Sequence, residues 1–334
     1  MSISYKDSGV DLEAAEASTK RIAAMAKSTF GSQVLHEIGL FSGFYALDIQ
    51  KYNEPVLVSS VDGVGTKLKI AFAMDIHDTV GQDLVNHCVN DIMVCGADPL
   101  FFLDYIGTLN LTPDKAELLV KGMATACKAN NCALVGGETA EMPGFYTSGE
   151  YDLVGSIVGV INRSDIIDGR DIGPGNVLLG LPSNGLHTNG YSLARKILLD
   201  HKKVDLNKPV PELDGQNWGQ ALLRVHKSYA DAIRAVRRTP GLLGISHITG
   251  GGIEGNTRRL LRGDLKMRMD WNAWQLPPIF QFMQEFGQVT DEEMRKTFNL
   301  GIGLIFVVDK QAVDAVVNEL KSVNENPILI GHIE

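Results

Sequence analysis

The sequence predicts an α+β fold in two domains, and three observations carry that expectation. Strand-like and helix-like segments alternate through both halves of the chain. The strands are short, and many are separated by hairpin-length turns as well as by helices, which favours α+β over a doubly wound parallel sheet. Between Asn162 and Asn176 the chain turns polar and Gly-rich, through Asp168-Gly169-Arg170-Asp171-Ile172-Gly173-Pro174-Gly175. That segment sets the expected boundary, giving domains 1–167 and 168–334. A chain of 334 residues also exceeds what one hydrophobic core usually serves.

In chain order, the alanine-rich segment 11–29 reads as a helix with Asp11 as its N-cap. Segments 44–49 and 56–61 flank Lys51-Tyr52-Asn53-Glu54-Pro55 and read as a hairpin. A helix is expected over 78–95, a strand over 99–109, and a further helix opening at Thr112-Pro113. Strands follow at 132–136 and 151–161. The second half opens with a strand at 177–181 and a helix at 191–199. A long helix is expected from Trp218, a strand ending at Ile248, helices around Ile279 and Ala312, and strands at 302–308 and 327–330.

Composition narrows the function. A net charge of −9 argues against nucleic-acid binding through a broad basic surface. The opening Met1-Ser2-Ile3-Ser4-Tyr5-Lys6-Asp7 lacks the regions of a signal peptide, and no apolar run reaches spanning length, so a cytoplasmic protein off the membrane is expected. Cys88, Cys95, Cys127 and Cys132 form no C-x-x-C pair and sit among apolar residues, as buried reduced thiols do.

Five segments carry the chemistry. Asp62-Gly63-Val64-Gly65-Thr66-Lys67 follows an apolar run; its glycines allow close backbone approach to a ligand, Lys67 suits a phosphate, and Asp62 suits its divalent metal. One residue between the glycines rules out a P-loop, and a simple tight turn also fits. On the 78–95 helix, Asp83, Asn86, His87, Asn90 and Asp91 share one arc of about 140°. A solvated face would mix charge signs, and this stripe contains no Lys or Arg, which favours a metal role for Asp91 and leaves Asp83 and His87 undecided. Gly136-Gly137-Glu138-Thr139-Ala140-Glu141-Met142-Pro143-Gly144 reads as a strand-end loop, either adding carboxylates to a metal cluster or forming an ordinary turn. Gly185-Leu186-His187-Thr188-Asn189-Gly190-Tyr191-Ser192 and Thr249-Gly250-Gly251-Gly252 each precede a helix, where a phosphate or ribose could sit.

Together these segments resemble the phosphoribosylformylglycinamidine cyclo-ligase family, also called aminoimidazole ribonucleotide synthetase. The match runs from Ser4-Tyr5-Lys6-Asp7-Ser8-Gly9-Val10-Asp11 nearly to the C-terminus. It includes Cys88-Val89-Asn90-Asp91, Pro99 to Tyr105, Glu141-Met142-Pro143-Gly144 and Thr297-Phe298-Asn299. The resemblance implies a fold of two α/β domains, an N-terminal sheet-and-helix dimerisation domain that binds ATP and metal and a C-terminal α/β sandwich that supplies substrate and phosphate loops. It implies ATP-dependent closure of formylglycinamidine ribonucleotide to 5-aminoimidazole ribonucleotide in purine biosynthesis, with release of ADP and phosphate. ATP and Mg²⁺ are the implied substrate and cofactor, nucleotides the implied partners, and a homodimer the implied assembly.

Carried over by position, Asp62, Asp91 and Glu138 are the implied metal ligands. Gly63, Gly65, Thr66, Lys67, Glu138, Thr139 and Lys6 are implied on the ATP side, with Lys67 contacting phosphate and Lys6 with Asp7 in an N-terminal strap. His187, Thr188, Asn189, Gly190 and Ser192 with Gly250, Gly251 and Gly252 are implied on the substrate side, His187 steering the departing proton. The implied catalytic set is His187, Asp62, Asp91 and Lys67. Ser42-Gly43-Phe44-Tyr45-Ala46 departs from a Gly-Gly-Phe-Gly-like run, and Asn256-Thr257-Arg258 from Asn-x-Pro. Another ATP-dependent enzyme of the same superfamily, or a nucleotide-binding regulator, are the alternative readings.

Overall fold

The computed structural model describes residues 12–39, 41–110 and 112–334. Asp11, Lys6 and Asp7, named above as a helix cap and a strap, lie outside the described residues. The chain forms two compact units, one running to Ile92 and including Asp98–Ser164, the other comprising Met93–Ala97 and Asp165–Glu334.

The first unit holds a four-stranded sheet of order β1-β4-β2-β3, with β1 Pro55–Gly63, β2 Asp98–Thr108, β3 Ala133–Glu141 and β4 Tyr151–Asn162. Its helices are α1 Leu12–Lys27, α2 Leu68–Met74, α3 Asp78–Met93 and α4 Pro113–Ala129. β4 is antiparallel to β1 and β2, whereas β2 and β3 are parallel. A parallel pair needs a crossover, and α4 makes it. Thr112 starts that helix by accepting a hydrogen bond from the Lys115 N–H at 3.4 Å, with Pro113 in the first turn.

Burial alternates residue by residue along β1 and β4, as expected of a sheet packed on one face. Leu57, Val61 and Leu103 face the other way and are exposed. On the covered face, α1 and α4 pack on β3. α3 and α4 cross at two glycines. A Cβ on Gly81 would meet Leu119 O at 2.2 Å, and one on Gly122 would meet Asp78 O at 2.2 Å. Backbone touches backbone there, which brings α3 close enough to reach β1 with short side chains.

Two expectations for this unit need correction. Residues 44–49 are not a strand and do not pair with β1; only an isolated bridge joins Tyr45 to Val34, and the edge of β1 pairs with β4 instead. The segment read as a loop from Gly136 is strand through Glu141, because parallel pairing with β2 continues to Thr108↔Glu141 and overrides the glycine signal.

The second unit holds an antiparallel sheet of order β6-β8-β5-β9-β7, with β5 Val177–Pro182, β6 Leu242–His247, β7 Met267–Met269, β8 Ile302–Val308 and β9 Ile328–Ile333. Every residue of β8 is buried, and Leu178, Ile305, Val307 and Ile330 belong to one apolar cluster. Its helices are α5 Tyr191–Arg195, α6 Trp218–Leu222, α7 Ala230–Val236, α8 Gly252–Thr257, α9 Pro278–Gly287, α10 Asp291–Thr297 and α11 Val313–Ser322. The expected helix at 191–199 is α5 running into a π-helical turn, Lys196–His201. The expected long helix from Trp218 is two short ones, α6 and α7, so that segment is broken where Arg224 to Tyr229 leave helical geometry.

Replacing Gly122 with Ala forces the α3–α4 crossing apart, and overpacking of this kind costs about 1–3 kcal/mol. Chemical denaturation of Gly122→Ala should show that loss, and an unchanged midpoint would contradict the close crossing.

Candidate active site

Three successive turns of α3 each grip the end of β1 or the turn that follows it. Asp83 pairs with Lys67, with Nζ at 2.7 Å from Oδ2 and 2.9 Å from Oδ1. One turn on, His87 Nε2 lies 2.9 Å from Asp62 Oδ2. One turn further, Ser60 Oγ donates to Asp91 Oδ2 at 3.3 Å. Spacing of four residues keeps Asp83, His87 and Asp91 on one stripe. Along that stripe Asp83, Asn86, His87 and Asn90 are buried and Asp91 is half-buried, so it is not a solvated helix face.

Lys67 is the clearest departure from expectation. The Gly65–Lys67 turn is 3₁₀, with Gly65 at φ 66°, and it swings the side chain inward. Lys67 and Asp83 are both completely buried, so in this structure the ammonium meets an internal carboxylate rather than a phosphate. Burial pulls the lysine pKa down, and Asp83 partly restores it. Gly65 and Thr66 stay exposed beside it.

His87 is a buried imidazole between acids. Burial alone disfavours its charge, but the Asp62 hydrogen bond and the charges of Asp62, Asp91 and Asp83 outweigh burial, and its pKa lies above the ordinary histidine value. A ring nitrogen of His87 and a carboxylate oxygen of Asp91 lie within 4.8 Å of each other. Asp62 also accepts the Gly63 N–H at 2.8 Å. Both carboxylates are therefore oriented by neighbours, and their charges favour the protonated His87 ring.

Glu138 does not join them within one chain. β1 and β3 are the two edges of the sheet, three strand spacings or about 14 Å apart. Glu138 instead borders a cavity of 620 Å³ with Glu37, Ser42, Asp104, Tyr105 and Ser156. Thr139 is exposed next to it. Asp104 packs across Gly137, where a Cβ would stand 2.2 Å from its Oδ1. Burial pushes the Asp104 carboxyl up to about 7, against a smaller pull from a backbone hydrogen bond.

In the second unit, His187 sits at φ 61°, buried, followed by buried Thr188, half-buried Asn189 and exposed Ser192. The loop is clamped from behind. Asn299 Nδ2 donates to Gly185 O at 2.8 Å, and a Cβ on Gly190 would strike the Phe298 ring at 2.4 Å. The glycine loop is held by Asn256, whose Nδ2 donates to Thr249 O at 3.2 Å, Gly250 O at 3.3 Å and Gly252 O at 2.8 Å. Gly251 and Gly252 have φ of 97° and 67°, and a Cβ on Gly252 would overlap Arg295 O at 1.8 Å. Gly250 and Gly251 are left exposed.

Reasoning from sequence missed Ser60, Asp83 as the partner of Lys67, Asn256 as the organiser of the glycine loop, and His226. Ser60 had a usable signal, since it lies two residues before Asp62 on the same strand face. His226 lies in no motif and becomes visible only through its neighbours in space.

These two halves define a class. The AIR synthase related protein N-terminal domain matches residues 45–161, and the corresponding C-terminal domain matches 173–334. The chain belongs to the AIR synthase family. Phosphoribosylformylglycinamidine cyclo-ligase of Thermodesulfovibrio yellowstonii is 48% identical over 331 residues, covering 99% of this chain and 96% of that protein. The protein of the same name from Desulfitobacterium hafniense is 46% identical over 334 residues, covering 100% and 97%. Among solved structures, thiamine-monophosphate kinase from Stenotrophomonas maltophilia has a TM-score of 0.69 at 15% identity, over 95% of this chain and 93% of that one. Hydrogenase maturation protein HypE in complex with ATP has a TM-score of 0.66 at 14% identity, over 94% and 86%. At these identities the two structures share the fold.

Removing one member of the Lys67–Asp83 pair strands a buried charge, at a cost of about 3–5 kcal/mol. Lys67→Met and Asp83→Leu should each lose that much by denaturant unfolding, and the double variant should recover most of it; additive losses would contradict the pairing. For Asp104 the folded pKa is raised, so its contribution to stability is full below the unfolded pKa of about 3.9 and is lost as pH rises toward about 7. The melting temperature of Asp104→Asn relative to wild type should therefore climb between those limits and level off above them. A flat difference would show the carboxyl to be ionised throughout.

Proposed function

We propose that this chain is an ATP-dependent cyclo-ligase that converts formylglycinamidine ribonucleotide to 5-aminoimidazole ribonucleotide, releasing ADP and phosphate, in de novo purine biosynthesis. The observation that carries this reading is the 46–48% identity to proteins of that name over nearly the whole of both chains. The polar residues singled out in both units supply the chemistry it needs.

The amide-like oxygen of the substrate is a poor leaving group. Transfer of the γ-phosphoryl group of ATP to that oxygen makes it a good one. The substrate's own amine then attacks the same carbon, the C–O bond breaks, phosphate leaves, and the new ring nitrogen gives up a proton. The attack is intramolecular, so the protein positions groups and stabilises charge rather than supplying a nucleophile.

Asp62 and Asp91 would hold Mg²⁺, which takes oxygen ligands and keeps waters. The fit rests on two carboxylates, oxygen donors suited to Mg²⁺, that His87, Ser60 and the Gly63 N–H orient. When bound, the metal would neutralise the polyphosphate and draw charge from the transferring group. The exposed Gly65 and Thr66, with Gly63, approach the phosphates. Lys67 acts from behind, fixing the turn through Asp83. Glu138 and Thr139 serve the nucleotide from the cavity at β3 rather than the metal. On the substrate side, Thr188, Asn189, Gly190 and Ser192 receive the ribonucleotide, Gly250, Gly251 and Gly252 offer backbone donors to its phosphate, and His187 steers the leaving proton.

The working form is a homodimer in the cytoplasm. The exposed sheet face of Leu57, Val61 and Leu103 is an apolar surface suited to a second copy. Among the described residues no helix is long and apolar enough to cross a membrane.

Incubating the chain with formylglycinamidine ribonucleotide, ATP and Mg²⁺ should yield the imidazole product and ADP in equal amounts. ATP consumption without ring closure would point to another ATP-dependent enzyme of the superfamily. His187→Ala should lower kcat with the amidine by about 10²-fold or more, the usual scale of proton-transfer catalysis, while leaving the KM for ATP near wild type.

A further inference from the structure

Three imidazoles stand together in the second unit, and two of them, His226 and His247, have no role in the chemistry described so far. His226 is completely buried, with His187 and His247 nearly so. His226 Nδ1 lies 3.2 Å from Thr188 Oγ1, and His226 Nε2 lies 3.0 Å from His247 Nε2. The His187 ring stacks on His226 with centroids 4.1 Å apart and planes at 18°. The pocket is closed around them. Tyr229, whose hydroxyl donates to Pro182 O at 2.9 Å, packs edge-on to His187 at 6.1 Å. Gly303 of β8 leaves room for both: a Cβ there would meet Tyr229 Oη at 2.1 Å and His187 Cε1 at 2.6 Å.

An N···N hydrogen bond between two neutral imidazoles needs one N–H and one lone pair. The tautomers of His226 and His247 are therefore locked to each other and to the Thr188 hydroxyl. When His226 carries its proton on Nε2, it donates to His247 and accepts from Thr188. When it carries the proton on Nδ1, both bonds reverse. One ring nitrogen of each of His187, His226 and His247 lies within 4.8 Å of the others, but His187 and His226 are stacked face to face at 18°, with their ring planes nearly parallel.

We propose that Thr188, His226 and His247 form a proton relay behind His187, with His226 as its positioning residue, carrying off the proton lost on ring closure. The relay rests on the cyclo-ligase reading. In the step, His187 steers the substrate N–H toward Thr188, and the proton passes to Thr188 Oγ1 as the hydroxyl's own proton moves to His226 Nδ1. The His226 Nε2 proton moves to His247 Nε2. One substrate N–H bond breaks and one His247 N–H bond forms, leaving His247 as imidazolium and His226 neutral in its other tautomer. Stacking on His226 also holds His187 in its left-handed backbone position.

The test combines spectroscopy on the wild-type protein with two variants. In ¹⁵N-histidine-labelled protein, a scalar coupling across the His226–His247 hydrogen bond is expected, and its absence would overturn the relay. His226→Phe keeps a flat ring against His187 but removes both nitrogens. It should lower kcat at least about tenfold while changing the KM for ATP by less than about twofold. Thr188→Val, which interrupts the same line from its other end without touching the stack, should lower kcat likewise even if His226→Phe fails to fold. Wild-type kcat in either folded variant overturns the relay alone, whereas a wild-type chain that closes no ring overturns the cyclo-ligase reading and the relay's role with it. Stoichiometric zinc in the purified protein, removed together with activity by a chelator, would replace the relay with a metal site.

Discussion

The first unit depends on a match of two repeats. Four residues of α-helix rise about 6 Å, and two residues of strand rise about 6.7 Å. Because those steps nearly agree, His87 and Asp91 on α3 meet Asp62 and Ser60 on β1 in register, each as a hydrogen-bonded pair. The glycine crossing of α3 and α4 sets the depth at which this happens, and the buried Lys67–Asp83 pair closes the lower rung. An ion pair so deep is an expensive way to gain stability. Its effect here is geometric, since it ties the turn after β1 to the helix that carries Asp91. Asp62 and Asp91 are thus held by the fold itself and not by loop conformation.

The second unit reaches a similar end by other means. Its loops are organised by side-chain amides that bind backbone carbonyls. Asn256 collects three carbonyls of the glycine loop, and Asn299 holds Gly185 while Phe298 covers Gly190. With the carbonyls engaged inward, Gly250 and Gly251 remain exposed at the surface of the loop. Behind the adjoining loop lies the histidine cluster, packed against a glycine in a wholly buried strand. Each loop is tied down by contacts within its own unit, which suits a reaction in which orientation does most of the catalytic work.

Much of this was legible in the sequence. Helix α3, the Thr112–Pro113 start of α4 and most strands follow from periodicity and capping, and the absence of Lys or Arg from the polar stripe of α3 marked it as more than a solvated face. The errors share a physical cause. Glycines at 136 and 137 announce a turn locally, but long-range pairing with β2 keeps that segment extended. Lys67 looks like a phosphate ligand because nothing in six residues reveals that its turn is 3₁₀ and points inward at Asp83. Glu138 looks like a metal ligand until sheet order puts β3 at the far edge. His226 was invisible because its importance comes entirely from residues 38 and 21 positions away.

We propose that Asp62 and Asp91, set by the β1–α3 register, receive the metal that accompanies ATP. Calorimetric titration of ATP into wild-type protein and Asp91→Asn, each with and without Mg²⁺, tests it most directly. Tight binding is expected only for wild type with Mg²⁺, with the variant reduced to the affinity seen without metal while its melting temperature stays near that of wild type. Equal Mg²⁺-dependent affinity in the folded variant would contradict it.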